Sequence, residues 1–147
     1  MSERLPLAGL KVLDVATWIA APAAAVILAD FGADVIKIEQ PDGGDPHRQN
    51  YRLPHIPQSE TNFLWHLDSR NKRSVALDLK NAAARDVLDR LIGEADILIT
   101  NFPLPVRERL RLTYEDVSRV NPRLIYASFT GYGEDGPDKD QPGYDST

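Results

Sequence analysis

Apolar positions along the chain alternate between short runs and longer stretches of helical spacing. Lys11-Val12-Leu13-Asp14-Val15 is a run of strand length, and from Ala20 to Phe31 alanine, valine, isoleucine and leucine recur at helical spacing. Pro22 suits the first turn of that helix, where its missing N–H costs nothing. Gly32 marks the stop, and Ala33 to Glu39 is a second strand rich in β-branched residues. Strand, helix, strand in this order predicts a parallel pair joined by a right-handed crossover.

The pattern then lapses. From Gln40 to about Glu60 the residues are Pro, Gly, Asp, Asn, His and Ser, with a turn signal at Asp42-Gly43-Gly44-Asp45, and this predicts a long loop. Over Ser74 to Lys80, Val75, Leu77 and Leu79 occupy every second position, as in a strand with one solvated face. Asn81 is placed to cap a helix whose apolar stripe is Ala84, Val87, Leu88, Leu91, Ile92 and Ala95. On its other face Arg85/Asp89 and Asp86/Arg90 are i,i+4 pairs, each worth about 0.2–0.5 kcal/mol. Asp96 to Thr100 reads as a strand, Tyr114 to Val120 as a short helix and Leu124 to Phe129 as the last strand. This alternation predicts an α/β fold: a Rossmann-like, open, mostly parallel sheet with flanking helices.

Composition narrows the classes. The chain has 147 residues, 42% of them hydrophobic, which fits one globular domain. Its 17 basic and 22 acidic residues are scattered and give a net charge of -5, so no electrostatic footprint for nucleic acid or an anionic membrane emerges. The sequence has no cysteine, which excludes disulfides, thiolate metal sites and thiol nucleophiles. No apolar run approaches the roughly 18 residues of a membrane span, and a cytoplasmic location is expected. The last residues, Gly143-Tyr144-Asp145-Ser146-Thr147, close no element, so the chain is expected to be the first part of a longer one.

In open α/β sheets ligands bind beyond the carboxyl ends of the strands, which directs attention to the loops after Val15, Glu39, Lys80, Thr100 and Phe129. The first of them, Ala16-Thr17-Trp18-Ile19-Ala20-Ala21-Pro22, has no glycine, so a standard dinucleotide turn is not expected there. Glu39 stands where a Rossmann acid would grip a ribose, although many strands end in an acid for solubility. The cluster Asp68-Ser69-Arg70-Asn71-Lys72-Arg73 is either a solvated turn or a phosphate contact. Asn101-Phe102, with Arg107, Arg109 and Arg111 in the next segment, offers an amide, an aromatic face and guanidiniums suited to a purine and its phosphates; a solvated basic helix face is the alternative. His47, His55 and His66 have no metal-ligand spacing, and no metal site is expected. Gly131 to Pro137 is a glycine-rich loop suited to backbone contact with a ligand, to lid motion, or simply a turn. The residues by themselves thus reach an α/β domain for a nucleotide-like ligand.

Five blocks in order go further: L-x-G-L-K-V-L-D-V (7 to 15), F-G-A-D-V-I-K-I-E (31 to 39), N-K-R-S-V-A-L-D-L-K (71 to 80), A-D-I-L-I-T-N-F (95 to 102) and N-P-R-L-I-Y-A-S-F-T-G-Y-G-x-x-G-P (121 to 137). They resemble the family III CoA-transferases, the CaiB/BaiF group that includes formyl-CoA and carnitine CoA-transferases and the α-methylacyl-CoA racemases. The resemblance implies that residues 1–147 are the N-terminal part of a CoA-binding, Rossmann-like large domain, in a longer protein that forms interlocked homodimers. CoA enters as a substrate; no prosthetic group is implied.

Carried over by position, the resemblance places Ile19 and Ala20 near the thioester end and the pantetheine arm. Gln40 takes a position that is basic in some members. Leu77, Asp78, Leu79 and Lys80, with Asn101 and Phe102, match the adenine and ribose region, and Arg109 matches a phosphate-binding arginine. Where many members read N-F-R-P-G this chain has Asn101-Phe102-Pro103-Leu104-Pro105, losing an arginine and a glycine. The implied activity moves CoA from an acyl-CoA donor to a free carboxylic acid through mixed anhydrides and a CoA thioester on one aspartate, expected beyond Thr147. Asp145, in Pro-Gly-Tyr-Asp, is read as a turn or helix cap. Racemases place a histidine before the aspartate of this segment, and here that position is Tyr144, which makes a racemase the weaker alternative. A chain lacking the aspartate is in turn expected to be at most a CoA-binding or assembly module.

Overall fold

The computed structural model describes residues 5–144. Its strands are β1 (Lys11–Asp14), β2 (Asp34–Glu39), β3 (Arg73–Ala76), β4 (Ile97–Thr100) and β5 (Ile125–Ser128). Its α-helices are α1 (Ala20–Asp30), α2 (Phe63–Ser69), α3 (Ala82–Glu94), α4 (Leu104–Leu110) and α5 (Tyr114–Val120). The sheet has five strands in the order β3-β2-β1-β4-β5, and every adjacent pair is parallel. The order reverses between β1 and β4, so the chain leaves these neighbours toward opposite faces, and a crevice opens between their carboxyl ends.

Each face of the sheet has its own core. On one, Ala21, Ala25 and Ala29 of α1 pack on Val12, Val35 and Ile99, small side chains letting helix and sheet approach closely. On the other, Leu88 and Ile92 of α3 pack with Leu112, Val117, Leu98 and Leu13. The stripe read from residues 84–95 is therefore the buried face of α3, and Asn81 caps it by accepting a hydrogen bond from the Ala83 N–H at 2.9 Å. Of the two expected surface pairs, Arg85–Asp89 forms at 2.6 Å, whereas Arg90 Nε donates to the Asp86 carbonyl instead of its carboxylate.

Three elements depart from the pattern. The 40–60 segment contains a 3₁₀ helix, Pro46–Arg52, started by Asp45, whose side chain accepts from the His47 N–H at 2.9 Å. Helix α2 lies where the chain shows no stripe, because it packs along α1 and the 3₁₀ helix. Strand β3 ends at Ala76, short of the expected Lys80. One more ladder bond follows, from the Leu77 N–H to the Glu39 carbonyl, before a turn closes from the Asn81 N–H to the Asp78 carbonyl. The side-chain alternation persists through this turn, with Val75, Leu77 and Leu79 against the core and Ala76, Asp78 and Lys80 outward.

The sheet centre carries charge. Asp14 and Lys37 are direct partners across β1 and β2, and both are fully buried. Lys37 Nζ lies 2.8 Å from Asp45 Oδ2 and 3.6 Å from Asp14 Oδ2, and it donates to the Ala16 carbonyl at 2.9 Å. Lys72 Nζ lies 2.8 Å from the same Asp14 oxygen and donates to the carbonyls of Pro22 and Asp68. Burial lowers the Lys72 pKa, and Asp14 opposes that shift. Removing one partner of such a group strands a buried charge, so Lys72→Met is expected to cost about 3 kcal/mol. Lys11→Met, which breaks the exposed Lys11–Glu94 pair, is expected to cost far less. Urea unfolding of the two variants at neutral pH checks the contrast.

Candidate functional site

Loops from both sides of the β1/β4 crevice are tied together by one amide. Asn101, just after β4, accepts the Thr17 N–H at 2.9 Å and donates Nδ2 to the Thr17 carbonyl at 2.7 Å. The loop after β1 is thereby clamped to the loop after β4, with Asp45 Oδ1 accepting the Trp18 N–H at 3.2 Å from a third direction. Ile19 and Ala20 follow at the start of α1, both exposed, and no side chain caps the helix. Phe102 turns its ring into the α3-side core. Of the sequence candidates, then, Asn101 and Phe102 shape the wall of the crevice through one polar and one apolar anchor.

Glu39 is committed elsewhere. Arg48 reaches both carboxylate oxygens, at 2.6 and 2.7 Å, and the Ser74 hydroxyl and the Asp45 N–H donate to it as well. The Arg48 guanidinium in turn stacks 3.7 Å from the Trp65 ring centre. A ribose therefore finds no free acid at the end of β2. Gly44 makes this possible: its φ is +71°, and a Cβ there would meet Glu39 Oε2 at 2.6 Å. Gln40 lies exposed beside this knot, its amide donating to the Gly44 carbonyl at 3.2 Å. His47 is buried against Asp68, 3.1 Å from Nε2 to Oδ2.

The basic cluster before β3 divides in two: Lys72 is buried on Asp14, whereas Arg70 and Arg73 stay exposed, as a solvated turn requires, and pair at 2.6 Å each with the surface carboxylates of Asp30 and Asp34. Arg107 is buried too, donating to the Phe102 carbonyl and the Tyr126 hydroxyl and lying 2.7 Å from Glu134. That pair anchors the loop after β5, which closes where Gly131 and Gly143 touch: a Cβ on Gly131 would fall 2.7 Å from the Gly143 Cα. Asp145 lies outside the described residues.

Several accessible cations converge on one place. A cavity of about 480 Å³ is bounded by Leu79, Lys80 and Asn81 before α3 and by Arg109 and Arg111 at the end of α4. Arg85 forms its floor but is consumed: it donates to the Leu110 and Arg111 carbonyls and pairs with Asp89, which ties α4 to α3. Arg111 ends α4 in the left-handed region, φ 53°, while the next residue, Leu112, is buried. Lys80, Arg109 and Arg111 are exposed around the opening, beside the positive end of the α3 dipole. Three cations at a helix N-terminus, on the carboxyl side of a parallel sheet, suit a ligand with several phosphates. Lys80, Arg109 and Arg111 were all legible as candidates; that α4 ends in this turn brings Arg111 to the same opening, while Arg107, named with them, is buried.

The fold is an open parallel α/β domain with a cation-lined cavity at its carboxyl edge. The model of the CoA-transferase family III matches residues 7–147, and the chain belongs to that family. It is 45% identical over 140 residues to the succinyl-CoA–L-malate CoA-transferase beta subunit of Chloroflexus aurantiacus, covering 95% of this chain and 34% of that protein. To the cinnamoyl-CoA:phenyllactate CoA-transferase of Clostridium sporogenes it is 44% identical, again over 95% of this chain and 34% of the other. A crystal structure of a CaiB/BaiF family protein from Brucella suis superposes with a TM-score of 0.87 at 39% identity, covering 98% of this chain and 38% of that one. The chain thus spans about a third of the length of these relatives.

The Glu39 knot gives a pH test. Burial alone would raise this carboxyl, but the hydrogen bonds from Arg48, Ser74 and Asp45 overcome it and hold the pKa down, from 4.5 to about 2. A depressed folded-state pKa means the stabilisation is present above 4.5 and is lost as pH falls toward about 2. Glu39→Gln is expected to lower stability at pH 7 by about 2 kcal/mol, with the gap from the unsubstituted protein narrowing by about pH 3, as read by urea unfolding across that range.

Proposed function

We propose that this chain is the N-terminal part of the CoA-binding large domain of a CoA-transferase, and that the cavity bounded by Lys80, Arg109 and Arg111 takes the phosphates of CoA. The observation that carries the reading is the convergence of these accessible cations at the carboxyl edge of a family III fold whose other buried cations are neutralised internally. The nucleotide end rests along Leu77, Asp78 and Leu79 and the Asn101-Phe102 wall, with Gln40 at the rim. The pantetheine arm runs toward Ile19 and Ala20, where the open N–H groups of α1 face the thioester carbonyl.

The reaction moves CoA from an acyl-CoA to a free carboxylate. An aspartate beyond Thr147 attacks the thioester carbonyl, the C–S bond breaks, and the CoA thiolate leaves an acyl-aspartyl anhydride. The thiolate then attacks the aspartyl carbonyl, releasing the first carboxylate and forming an aspartyl-CoA thioester. The acceptor carboxylate repeats the two steps in reverse, so no proton or electron is gained or lost. Acyl-CoA and a carboxylic acid are the small-molecule partners, and the protein works as an interlocked homodimer in the cytoplasm. Its relatives' printed activities, succinyl-CoA with malate and cinnamoyl-CoA with phenyllactate, support the reaction class. Among the described residues no helix is long and apolar enough to cross a membrane.

Lys80→Ala and Arg109→Ala are each expected to weaken CoA binding about tenfold, with little effect on a pantetheine thioester lacking the nucleotide. Raising the salt concentration is expected to weaken CoA for the unsubstituted protein more than for either variant. Calorimetric titration of the full-length protein checks both, and equal CoA affinity in all three proteins would contradict the proposed cavity.

A further inference from the structure

Two large apolar side chains stand in the open at the carboxyl end of the central strand: Trp18 is 43% exposed and Ile19 48%. Trp18 also has a left-handed backbone, φ 66°, which a bulky side chain adopts only where its surroundings impose it. They do so residue by residue. Lys37 Nζ donates to the Ala16 carbonyl at 2.9 Å, Asn101 holds both backbone groups of Thr17, and Asp45 accepts the Trp18 N–H. The Ala23 N–H then donates to the Ile19 carbonyl at 2.7 Å as α1 begins. Buried or half-buried polar groups from β2, the loop after it and the loop after β4 thus fix a strained turn whose product is an indole facing solvent at the mouth of the crevice.

We infer that Trp18, with Ile19 beside it, is the platform for the acyl group of the thioester and selects apolar, above all planar unsaturated or aromatic, acyl chains over dicarboxylic ones. The inference rests on the CoA reading above and adds the substrate class. An indole offers a broad flat apolar face for stacking. A second carboxylate on the acyl chain would instead require a cation with free donors. The lysines behind this turn have none to spare: Lys72 gives its three N–H groups to Asp14, Pro22 and Asp68, and Lys37 faces Asp45, Asp14 and the Ala16 carbonyl. Arg48 is held on both oxygens of Glu39.

The experiment compares CoA, cinnamoyl-CoA and succinyl-CoA by calorimetric titration of the full-length protein and of its Trp18→Gly and Trp18→Phe variants. Glycine suits a positive φ, so Trp18→Gly removes the ring without adding backbone strain. The unsubstituted protein is expected to bind cinnamoyl-CoA about tenfold tighter than succinyl-CoA. Trp18→Gly should abolish that preference while its affinity for CoA stays within about threefold, and Trp18→Phe should keep most of it. If CoA binds but the preference is missing from the unsubstituted protein, or survives in Trp18→Gly, the acyl platform is overturned and the CoA reading stands. Failure of the unsubstituted protein to bind CoA overturns both.

Discussion

The charged pair at the middle of the sheet, Asp14 facing Lys37 across β1 and β2, is the constraint on which the rest of the structure depends. Taking two such groups out of water is expensive, and only a full set of partners repays it. Asp45 and Lys72 supply those partners, and each comes from a segment with no regular strand of its own: the turn after β2 and the approach to β3. Because stranding any member is costly, the two loops are drawn onto the sheet as firmly as a core side chain would draw them. One set of contacts therefore closes the interior and fixes the backbone around the ligand edge.

From this group the order passes outward along named bonds. Lys37 holds the Ala16 carbonyl and Asp45 the Trp18 N–H, so the turn after β1 is shaped from beneath, while Asn101 clamps it from the β4 side. Arg85, pinned between α3 and the end of α4, and Arg107, buried under the loop after β5, organise the opposite flank. The division of labour among cations is clear. Those that are buried carry the architecture, and Lys80, Arg109 and Arg111, which are exposed, face the cavity.

Much of the fold was legible because its central strands are buried on both faces and read as apolar runs, while α1 and α3 each bury one face and write its period into the sequence. Helix α2 and the 3₁₀ helix were hidden because their positions follow from tertiary contacts, His47 against Asp68 and the Arg48–Glu39 ion pair, and not from a local stripe. The early end of β3 was hidden because the side-chain alternation continues through the turn at Asp78. In the site, Lys80 and Arg109 could be named from position in the chain. The sorting of the other basic residues could not, since nothing local tells a buried Lys72 or Arg107 from an exposed Arg111. One signal was present: an aspartate and a lysine, Asp14 and Lys37, set inside otherwise apolar strands. Charges that interrupt central strands mark a buried network before any coordinates are known.

The most direct test of the whole account is a crystal structure of the full-length protein with CoA bound. Phosphate density is expected within hydrogen-bonding distance of Lys80 and Arg109, with the pantetheine arm leading to the turn at Trp18 and Ile19. Phosphates seated elsewhere, with the cavity between α3 and α4 filled only by solvent, would contradict it.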